Sequence, residues 1–367
     1  MASVFPALFF LLCTHVLDVY SRQKLGCRDQ SNRPVDWWAG YKIPQLERSS
    51  VPSVSEGYGF FYLDSTKPQA WILSKVGLNA RAHALAHTLQ QLYQLKTERD
   101  VFHLLYNDEF PNGTYSLTSG HTKGAMLFDF SSGFWLIHSI PKFPSPEAYE
   151  YPNNAREFGQ SMLCVSFNYN QLSLIGKQLY LNEPYIFSSH FPSKMASQQP
   201  YLVQVLQHKF ARKPPWTSEL QLKSQAGNVF TSFAKNGKWD KDLYFDFVAP
   251  SLHVSMFTET WQNGGGNLHS WCSSPYSVHD ISAIQLPMHA INFTNNHDHS
   301  KWAIAAGSPL KPWVCIGDIN RQYGQLTRGG GTMCLQLAQL WQVFNSSVNG
   351  VWPCRQRSNR IEGVALV

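Results

Sequence analysis

The segment Asp298-His299-Ser300-Lys301-Trp302 has a near copy far upstream in the chain, Gly120-His121-Thr122-Lys123-Gly124. Each segment contains a His-x-Lys triplet, and eleven residues separate each lysine from a later tryptophan, Trp135 in the first case and Trp313 in the second. A branched aliphatic residue follows each tryptophan. The shared spacing indicates an internal duplication, so we predict one active site built from two similar halves of the chain.

The two triplets carry the side chains that phosphodiester chemistry needs. Residues i and i+2 of an extended segment point to the same face, which puts His121 beside Lys123 and His299 beside Lys301. The lysines can neutralise the nonbridging oxygens of a phosphodiester. One neutral imidazole can attack phosphorus while the other, protonated, donates a proton to the leaving alkoxide. This chemistry needs no metal ion or cofactor, and an imidazole pKa of about 6.5 predicts an acidic pH optimum.

Two other interpretations compete with this one. His297 and His299 form a His-x-His pair that can bind zinc, with Asp318 as a third ligand. Alternatively, the triplets are unrelated and lie on exposed loops. The equal gap between lysine and tryptophan argues against the second alternative.

Length and composition favour a folded protein with two lobes. The chain has 367 residues, of which 43% are hydrophobic and 15% charged, so extended disorder is not expected. We predict an N-terminal lobe over 22–185 with the first triplet, a C-terminal lobe over 186–354 with the second, and an exposed tail over 355–367. The formal charge of +6 suits a polyanionic partner or simply solubility.

Several features indicate the secretory pathway. Residues 1–21 resemble a secretory signal, and no other apolar run is long enough to span a membrane. Outside that signal the chain has an even number of cysteines, which fits disulfides whose pairing the spacing leaves open: Cys27, Cys164, Cys272, Cys315, Cys334 and Cys354. Three Asn-x-Ser/Thr acceptors for glycosylation are present, at Asn112, Asn292 and Asn345. We therefore expect a soluble, lumenal or secreted glycoprotein.

Local patterns predict the main elements. Strands are expected at 34–44, 101–107, 161–167 and 252–261, a hairpin at 124–130 and 133–140, helices at 77–95 and 225–235, and glycine loops at 264–266 and 329–331. The cluster of Lys209, Arg212 and Lys213 has two interpretations. A solvated loop is the more common one, and a contact with a phosphate backbone is the other. Neither glycine loop fits a Walker-type phosphate cradle, so nucleotide binding is not supported.

Beyond the triplets, a set of motifs resembles the deoxyribonuclease II family. The motifs are Pro34-Val35-Asp36-Trp37, Leu105-Tyr106-Asn107-Asp108, Gly133-Phe134-Trp135-Leu136-Ile137-His138-Ser139, Gly317-Asp318-Ile319-Asn320-Arg321 and Arg328-Gly329-Gly330-Gly331-Thr332. The resemblance extends from about Cys27 to Cys354. Departures from the wider phospholipase D pattern occur at Phe128 and Ala306, and a cysteine that family members often have is Ala303 here.

The resemblance implies both a fold and an activity. The fold is α/β with two pseudo-symmetric phospholipase D-like lobes, each a mostly β sheet flanked by helices, and the active site lies at their junction. The activity is that of a lysosomal acid endodeoxyribonuclease, independent of metal ions, that cuts double-stranded DNA with little sequence specificity to 3′-phosphate and 5′-hydroxyl ends. The disulfides implied are Cys27–Cys164, Cys272–Cys354 and Cys315–Cys334.

Site residues follow from the same resemblance. His299 is the first catalytic candidate, and Lys301, His121 and Lys123 complete the set, with the choice of nucleophile left open. A supporting or phosphate-binding role is implied for three further residues: His138, Asp318 and Asn320. Two rival functions are a DNA-binding glycoprotein without turnover and a lipid phosphodiesterase. The oligomeric state is left open.

Overall fold

The computed structural model describes residues 23–286, 291–307 and 309–354, and it is an α/β fold with two large, mostly antiparallel sheets. The predicted signal over 1–21 and the predicted tail over 355–367 lie outside the described residues. No helix within the described ranges is long and apolar enough to cross a membrane.

The first sheet is entirely antiparallel and has the strand order β3-β2-β1-β7-β6-β5-β4-β8. Its strands are β1 (Trp37–Lys42), β2 (Phe60–Asp64), β3 (Ile72–Leu73), β4 (Phe102–Asn107), β5 (Lys123–Phe128), β6 (Ser132–His138), β7 (Gln160–Asn168) and β8 (Ile186–His190). Strand β8 follows residue 185 in the chain but pairs with β4. The division of the chain into lobes stays a prediction.

The second sheet has the order β13-β12-β11-β14-β15-β16-β10-β9, and β17 also pairs with β12. Its strands are β9 (Thr217–Lys223), β10 (Val229–Lys235), β11 (Met256–Glu259), β12 (Val278–Leu286), β13 (Ile291–Thr294), β14 (Trp302–Ala305), β15 (Trp313–Gly317), β16 (Gly330–Gln336) and β17 (Val348–Val351). Within the described residues, the pairing of β11 with β12 is its one parallel contact.

Helices are few and mostly short. They are α1 (Pro52–Ser55), α2 (Ala84–Leu95), α3 (Leu172–Asn182), α4 (Ser193–Ala196), α5 (Pro200–Leu206), α6 (Ala249–Leu252), α7 (Tyr323–Leu326) and α8 (Ala338–Ser346). Short 3₁₀ turns lie at Asn153–Ala155, Tyr169–Gln171, Gly237–Trp239 and Asn295–His297, and a π-helical turn at Tyr244–Val248. The fold is therefore dominated by its two sheets.

Each triplet leads into the first strand of an antiparallel hairpin, β5–β6 or β14–β15. The run β4-β5-β6-β7-β1-β2 of the first sheet matches β11-β14-β15-β16-β10-β9 of the second by position. The registers differ by one residue, because Gly124 lies opposite Ile137 whereas Trp302 lies opposite Ile316. The duplication inferred from the tryptophan spacing thus holds for the topology but not for the register.

One face of the first sheet packs against the second sheet, and the other face packs against α2. The ring centroids of Trp37 and Phe230 are 6.5 Å apart, and those of Tyr41 and Trp302 are 6.4 Å apart. Because both of its faces are covered, β1 is buried along its whole length, which explains why Trp37, Trp38 and Tyr41 are all enclosed by the core. This shared core fixes the position of one triplet relative to the other.

Most predicted elements are confirmed, with three corrections. The helix predicted at 225–235 is wrong, because β10 pairs on one side with β9 and on the other with β16. A strand buried on both faces has no period that distinguishes it from a buried helix. The loop predicted at 329–331 is wrong in part, since β16 begins at Gly330, and the helix predicted from residue 77 begins at Ala84.

The disulfides implied by the family resemblance are present: Cys27–Cys164, Cys272–Cys354 and Cys315–Cys334. Of the glycosylation acceptors, Asn112 and Asn292 are exposed and Asn345 is half-buried. Their glycosylation stays a prediction.

Candidate active site

The first triplet is organised around Asp108. This residue follows the end of β4, where Asn107 lies opposite Lys123. The Asp108 carboxylate receives a hydrogen bond from Nζ of Lys123, and its Oδ2 atom is 3.4 Å from Nε2 of His121. His121 and Lys123 therefore point to the same side of their segment, as the spacing predicts. Burial opposes ionisation of Asp108, but the charges of Lys123 and Arg328 outweigh burial and hold its pKa below the ordinary value.

Arg328 connects the first triplet to the second sheet. Its Nη2 atom donates to Asp108 Oδ2 at 3.1 Å and to the carbonyl oxygen of Gly120 at 3.3 Å. Its Nε atom donates to the carbonyl oxygen of Ser119 at 2.8 Å. The backbone N–H of His121 also donates to the carbonyl oxygen of Gly329 at 2.8 Å. The loop that carries His121 is thus held by residues at the start of β16.

The second triplet is held in turn by the first sheet. Nδ1 of His299 lies 3.2 Å from the carbonyl oxygen of Ser139 and 3.3 Å from Oε1 of Gln160. The backbone N–H of Lys301 donates to Oγ of Ser161 at 2.9 Å. Nζ of Lys301 lies 3.1 Å from Nδ1 of His299, so this pair too shares one face. Each triplet therefore depends on contacts with the sheet that carries the other.

A buried carboxylate fixes the backbone just before His299. Asp298 accepts hydrogen bonds from the Tyr41 hydroxyl and, at 2.7 Å, from the Ser300 hydroxyl. Burial raises the pKa of Asp298, and the hydrogen bond from Tyr41 opposes that rise. Because Tyr41 belongs to β1, the orientation of the second triplet is set partly by the centre of the first sheet.

Glycines beside the first triplet permit close backbone packing. A Cβ atom on Gly120 would lie 1.8 Å from the carbonyl oxygen of Asn182, and one on Gly329 would lie 2.3 Å from the same atom. A Cβ atom on Gly124 would lie 2.4 Å from the Tyr106 hydroxyl. These glycines accommodate neighbouring protein atoms at the site.

The two triplets are electrostatically coupled. Burial lowers the pKa of His299 well below its ordinary value, and the charge of Lys301 lowers it further. Lys123 and His121 of the first triplet add to the same shift. Burial likewise lowers the pKa of Lys301 well below its ordinary value, with Lys123 adding to the effect. The charges of the first triplet therefore act on both His299 and Lys301 of the second.

The family model for deoxyribonuclease II matches residues 26–354. The chain belongs to the deoxyribonuclease II family. It is 41% identical to Plancitoxin-1 of Acanthaster planci over 355 residues, covering 96% of this chain and 98% of that protein. It is 40% identical to Cell death-related nuclease 6 of Caenorhabditis elegans over 340 residues, covering 89% of each protein. Identity to Deoxyribonuclease-2-alpha of Mus musculus is 38% over 343 residues, covering 92% of this chain and 95% of that protein.

The three supporting residues implied by the deoxyribonuclease II resemblance are all buried. Nδ1 of His138 accepts a hydrogen bond from the backbone N–H of Ile140 at 3.2 Å, and its Nε2 atom has no partner within the described residues. Burial lowers the pKa of His138 to about 3. Burial raises the pKa of Asp318 to about 7, although its Oδ1 atom accepts from Gly331 at 3.1 Å. Oδ1 of Asn320 also has no partner in the described part of the chain.

Sequence reasoning missed four residues at this site. Asp108 and Arg328 occur in motifs that carried the family resemblance, but no local pattern indicated their contact. Trp261 packs against His299 with ring centroids 5.0 Å apart. Glu259 is fully buried, and neither of its carboxylate oxygens has a partner among the described residues. Burial raises the pKa of Glu259 well above its ordinary value, and Lys301 opposes that rise.

The alternative metal site at His297, His299 and Asp318 finds no support in the geometry. Nδ1 of His297 lies 3.2 Å from the Thr294 hydroxyl, and the residue is exposed. Within the described residues, the group with suitable ligand spacing is a different one, Cys272, His279 and Cys354. Its two cysteines form a disulfide and so offer no thiolate.

Proposed function

We propose that this protein is an acid endodeoxyribonuclease of the lysosome, reached through the secretory pathway, that hydrolyses DNA without a metal ion. In this proposal the two sheets form phospholipase D-like lobes, and the active site lies at their junction. The observation that carries the proposal is the mutual coupling of the triplets. Arg328 and Gly329, next to β16, hold the first triplet, and residues of the first sheet hold the second. The charges of His121 and Lys123 also lower the pKa of His299, which supports a placement of both triplets around one phosphodiester.

His299 is the nucleophile in the proposed mechanism. Beside its Nδ1 atom lie two oxygen acceptors and one amine, Nζ of Lys301. The mechanism places the proton on Nδ1, shared with the two oxygens, which leaves the lone pair on Nε2. That lone pair attacks phosphorus, a P–N bond forms, and the P–O5′ bond breaks. The DNA fragment that ends in the 5′-hydroxyl departs. The fragment on the other side of the cut stays bound to His299 through its 3′-phosphoryl group. Attack of water then breaks the P–N bond and releases the 3′-phosphate.

His121 is the proton donor to O5′ and afterwards the base that activates water. Its Nε2 atom faces Asp108, and its Nδ1 atom has no partner within the described residues. Burial lowers the pKa of His121 well below its ordinary value, and Lys123 lowers it further. A bound phosphodiester brings a negative charge that opposes those cations. Because His121 must carry a proton when O5′ leaves, activity is expected at acid pH.

Lys123 and Lys301 hold the nonbridging oxygens in this mechanism and stabilise the charge of the transition state. His138 is kept neutral by its low pKa, and because Nδ1 accepts a hydrogen bond, its proton is on Nε2, where it can donate to a phosphate oxygen. Asp318, with a pKa of about 7, is protonated at acid pH and can do the same. In this proposal the side-chain N–H of Asn320, two residues after Asp318, also donates to a phosphate oxygen.

A basic surface is suited to the DNA backbone. We define it by five exposed cations, none of which forms an ion pair in the described part of the chain: Lys209, Arg212, Lys213, Lys238 and Lys241. Nζ of Lys238 lies 5.4 Å from the centroid of the Trp216 ring. Unpaired cations beside aromatic rings suit a nucleic acid backbone held without base readout.

The basic surface is connected to the first triplet by a short series of hydrogen bonds. The backbone N–H of Gly237, next to Lys238, donates to Oε2 of Glu183 at 3.1 Å. The carbonyl oxygen of Glu183 accepts from the backbone N–H of Gly120 at 2.7 Å, and His121 follows in the chain. The basic surface and the first triplet are therefore close in the fold, and in this proposal a duplex on the basic surface extends to the catalytic histidines.

Plasmid nicking at pH 5 in excess chelator tests the proposed activity. The wild-type protein should nick the plasmid, and the 3′ ends should support primer extension only after phosphatase treatment. His299→Ala should abolish nicking while its thermal unfolding stays close to that of the wild type. DNA binding without nicking would instead support the glycoprotein without turnover, and hydrolysis of lipid diesters alone would support the lipid phosphodiesterase. Nicking that occurs only when no chelator is present would contradict metal independence.

Covalent trapping tests the assignment of the nucleophile. His121→Gln should slow hydrolysis of the intermediate, so that a DNA fragment linked through its 3′-phosphate accumulates on the protein after an alkaline quench. Peptide mapping should locate the fragment on His299. Attachment to His121 in the reciprocal variant, His299→Gln, would reverse the two roles.

A further inference from the structure

A cavity of about 380 Å³ is lined in part by residues that are close in the chain to Trp261 and His299. Its lining includes Gln262, Asp280, Asn295 and Trp352. The proposed reaction assigns no role to any of these residues. A cavity of this size, close to a reaction centre, is large enough to receive a small ring system.

Two segments that line the cavity continue along the chain into the candidate active site. Gln262 follows Trp261, whose ring centroid is 5.0 Å from that of His299. Asn295 begins the 3₁₀ turn Asn295–His297, which leads directly to His299. Trp261, which packs on His299, is thus followed directly by a residue of the cavity lining, so a nucleoside next to a phosphate at His299 is a suitable occupant to test.

Two side-chain atoms of the residues that line the cavity are buried and have no hydrogen-bond partner within the described residues. They are Nε2 of Gln262, a donor, and Oδ2 of Asp280, an acceptor. Asp280 is buried, and its Oδ1 atom is bound by Arg321, which fixes the carboxylate in place. A buried polar atom without a partner destabilises a protein, so a ligand that offers both an acceptor and a donor would be favoured here.

Trp352 gives the cavity an aromatic surface. Its side chain is 52% exposed, although the backbone is held on both sides. Its N–H donates to the carbonyl oxygen of Asp280 at 2.8 Å, and its carbonyl oxygen accepts from the Ser270 hydroxyl at 2.9 Å. An exposed ring on a fixed backbone is a suitable stacking platform for a flat, unsaturated ligand.

We propose that this cavity receives a nucleobase of the DNA strand, adjacent to the phosphodiester that is cut. The base stacks on Trp352, and its edge forms hydrogen bonds with the amide of Gln262 and the carboxylate of Asp280. A nucleobase has the required flat face and carries donors and acceptors on one edge. This inference rests on the proposed nuclease function. In a duplex the base must first leave the stack, so single-stranded substrates give the clearest test.

The test uses short single-stranded oligonucleotides with one cleavable phosphodiester and methylphosphonates elsewhere. The nucleoside on one side of the cleavable bond carries either its base or an abasic analogue, and both sides are tested in turn. The wild type should cut the abasic substrate roughly tenfold more slowly at one of the two positions. The ratio of interest is the cleavage rate of the substrate with the base divided by that of the abasic substrate. Trp352→Ala and, independently, Gln262→Leu should bring this ratio toward one.

Tyr115→Ala is the matched control, because Tyr115 is also an exposed aromatic residue, 66% accessible, and does not line the cavity. It should keep the wild-type ratio. A wild-type ratio near one at both positions, or a ratio that neither cavity variant changes, would overturn the inference. Cutting of both substrates at equal rates leaves the nuclease proposal standing, whereas no cutting of any substrate contradicts the nuclease proposal itself.

Discussion

The backbone N–H of His299 donates a hydrogen bond to the carbonyl oxygen of Gly159 at 2.9 Å, and the two segments form a parallel bridge. Gly159 directly precedes β7 of the first sheet. A Cβ atom at this position would lie 2.2 Å from Oδ1 of Asp298. That carboxylate is held by Tyr41 and Ser300 and has little freedom to move.

Gly159→Ala should therefore displace the second triplet without unfolding the protein. A displacement of about 1 Å at a catalytic group costs about 100-fold in rate, and we expect a loss of that order in kcat. The measurement is plasmid nicking at pH 5 alongside thermal unfolding. Gly324→Ala is the control, because no atom lies within 4 Å of the added Cβ atom. Equal activity of the two variants would contradict the role given to this bridge.

Asp108→Asn should move the pH–activity profile toward lower pH. Oδ2 of Asp108 is 3.4 Å from Nε2 of His121, the proposed proton donor, and its negative charge favours the protonated form of that imidazole. Without that charge, the protonated form of a nearby imidazole is less favoured. The limb on which activity falls as pH rises should therefore shift to the acid side, and kcat should fall about 10- to 100-fold.

The control for that variant is Asp100→Asn, which removes an exposed partner of Lys194 before the start of β4, whereas Asp108 follows the end of that strand. Its profile should coincide with that of the wild type. If kcat falls in Asp108→Asn while the profile stays in place, Asp108 positions the loop and does not tune the histidine.

The parts of the site that the sequence predicts are local. Alternation along an extended segment puts Lys301 beside His299, and the structure has that pair at 3.1 Å. The contacts that the sequence does not predict join distant segments. Arg328 and Asp108 are 220 residues apart, and their contact arises only because the two sheets pack together. Strand β10 was mistaken for a helix for the same reason, since its identity depends on neighbours β9 and β16 and not on its own pattern.

Acid pH should destabilise the fold through buried neutral histidines. Burial lowers the pKa of His83 to about 4. The unfolded chain, with an imidazole pKa of about 6.5, binds more protons than the folded chain between those two values. The free energy of unfolding therefore falls as pH drops from about 6.5 to 4, by on the order of 2 kcal/mol at pH 5 for this residue.

His83→Asn should remove that loss. Nδ1 of His83 accepts a hydrogen bond from the backbone N–H of Ala86 at the start of α2, and an asparagine can cap the helix in the same way. Chemical denaturation gives the free energy of unfolding at pH 7 and at pH 5. The decrease in this free energy from pH 7 to pH 5 should be about 2 kcal/mol smaller in the variant than in the wild type. An unchanged difference would mean that His83 is protonated in the folded state.

The basic surface should govern the salt dependence of DNA cleavage. Each phosphate contact contributes about 0.9 to the slope of log affinity against log salt. The triple variant Lys209→Ala, Arg212→Ala, Lys213→Ala should therefore lower that slope by about 2 to 3 and raise KM for long duplexes. Cleavage of a dinucleotide should stay unchanged, because so short a substrate does not reach these residues.

The control is the triple variant Arg48→Ala, Lys67→Ala, Lys75→Ala. It removes the same charge from exposed positions around β2 and the edge strand β3 of the first sheet. If net charge alone attracts DNA, the slope of log affinity against log salt should decrease by the same amount in both triple variants. If DNA follows the surface that leads through Glu183 to His121, only the first variant should show this decrease, because a phosphate contact depends on where the cation lies.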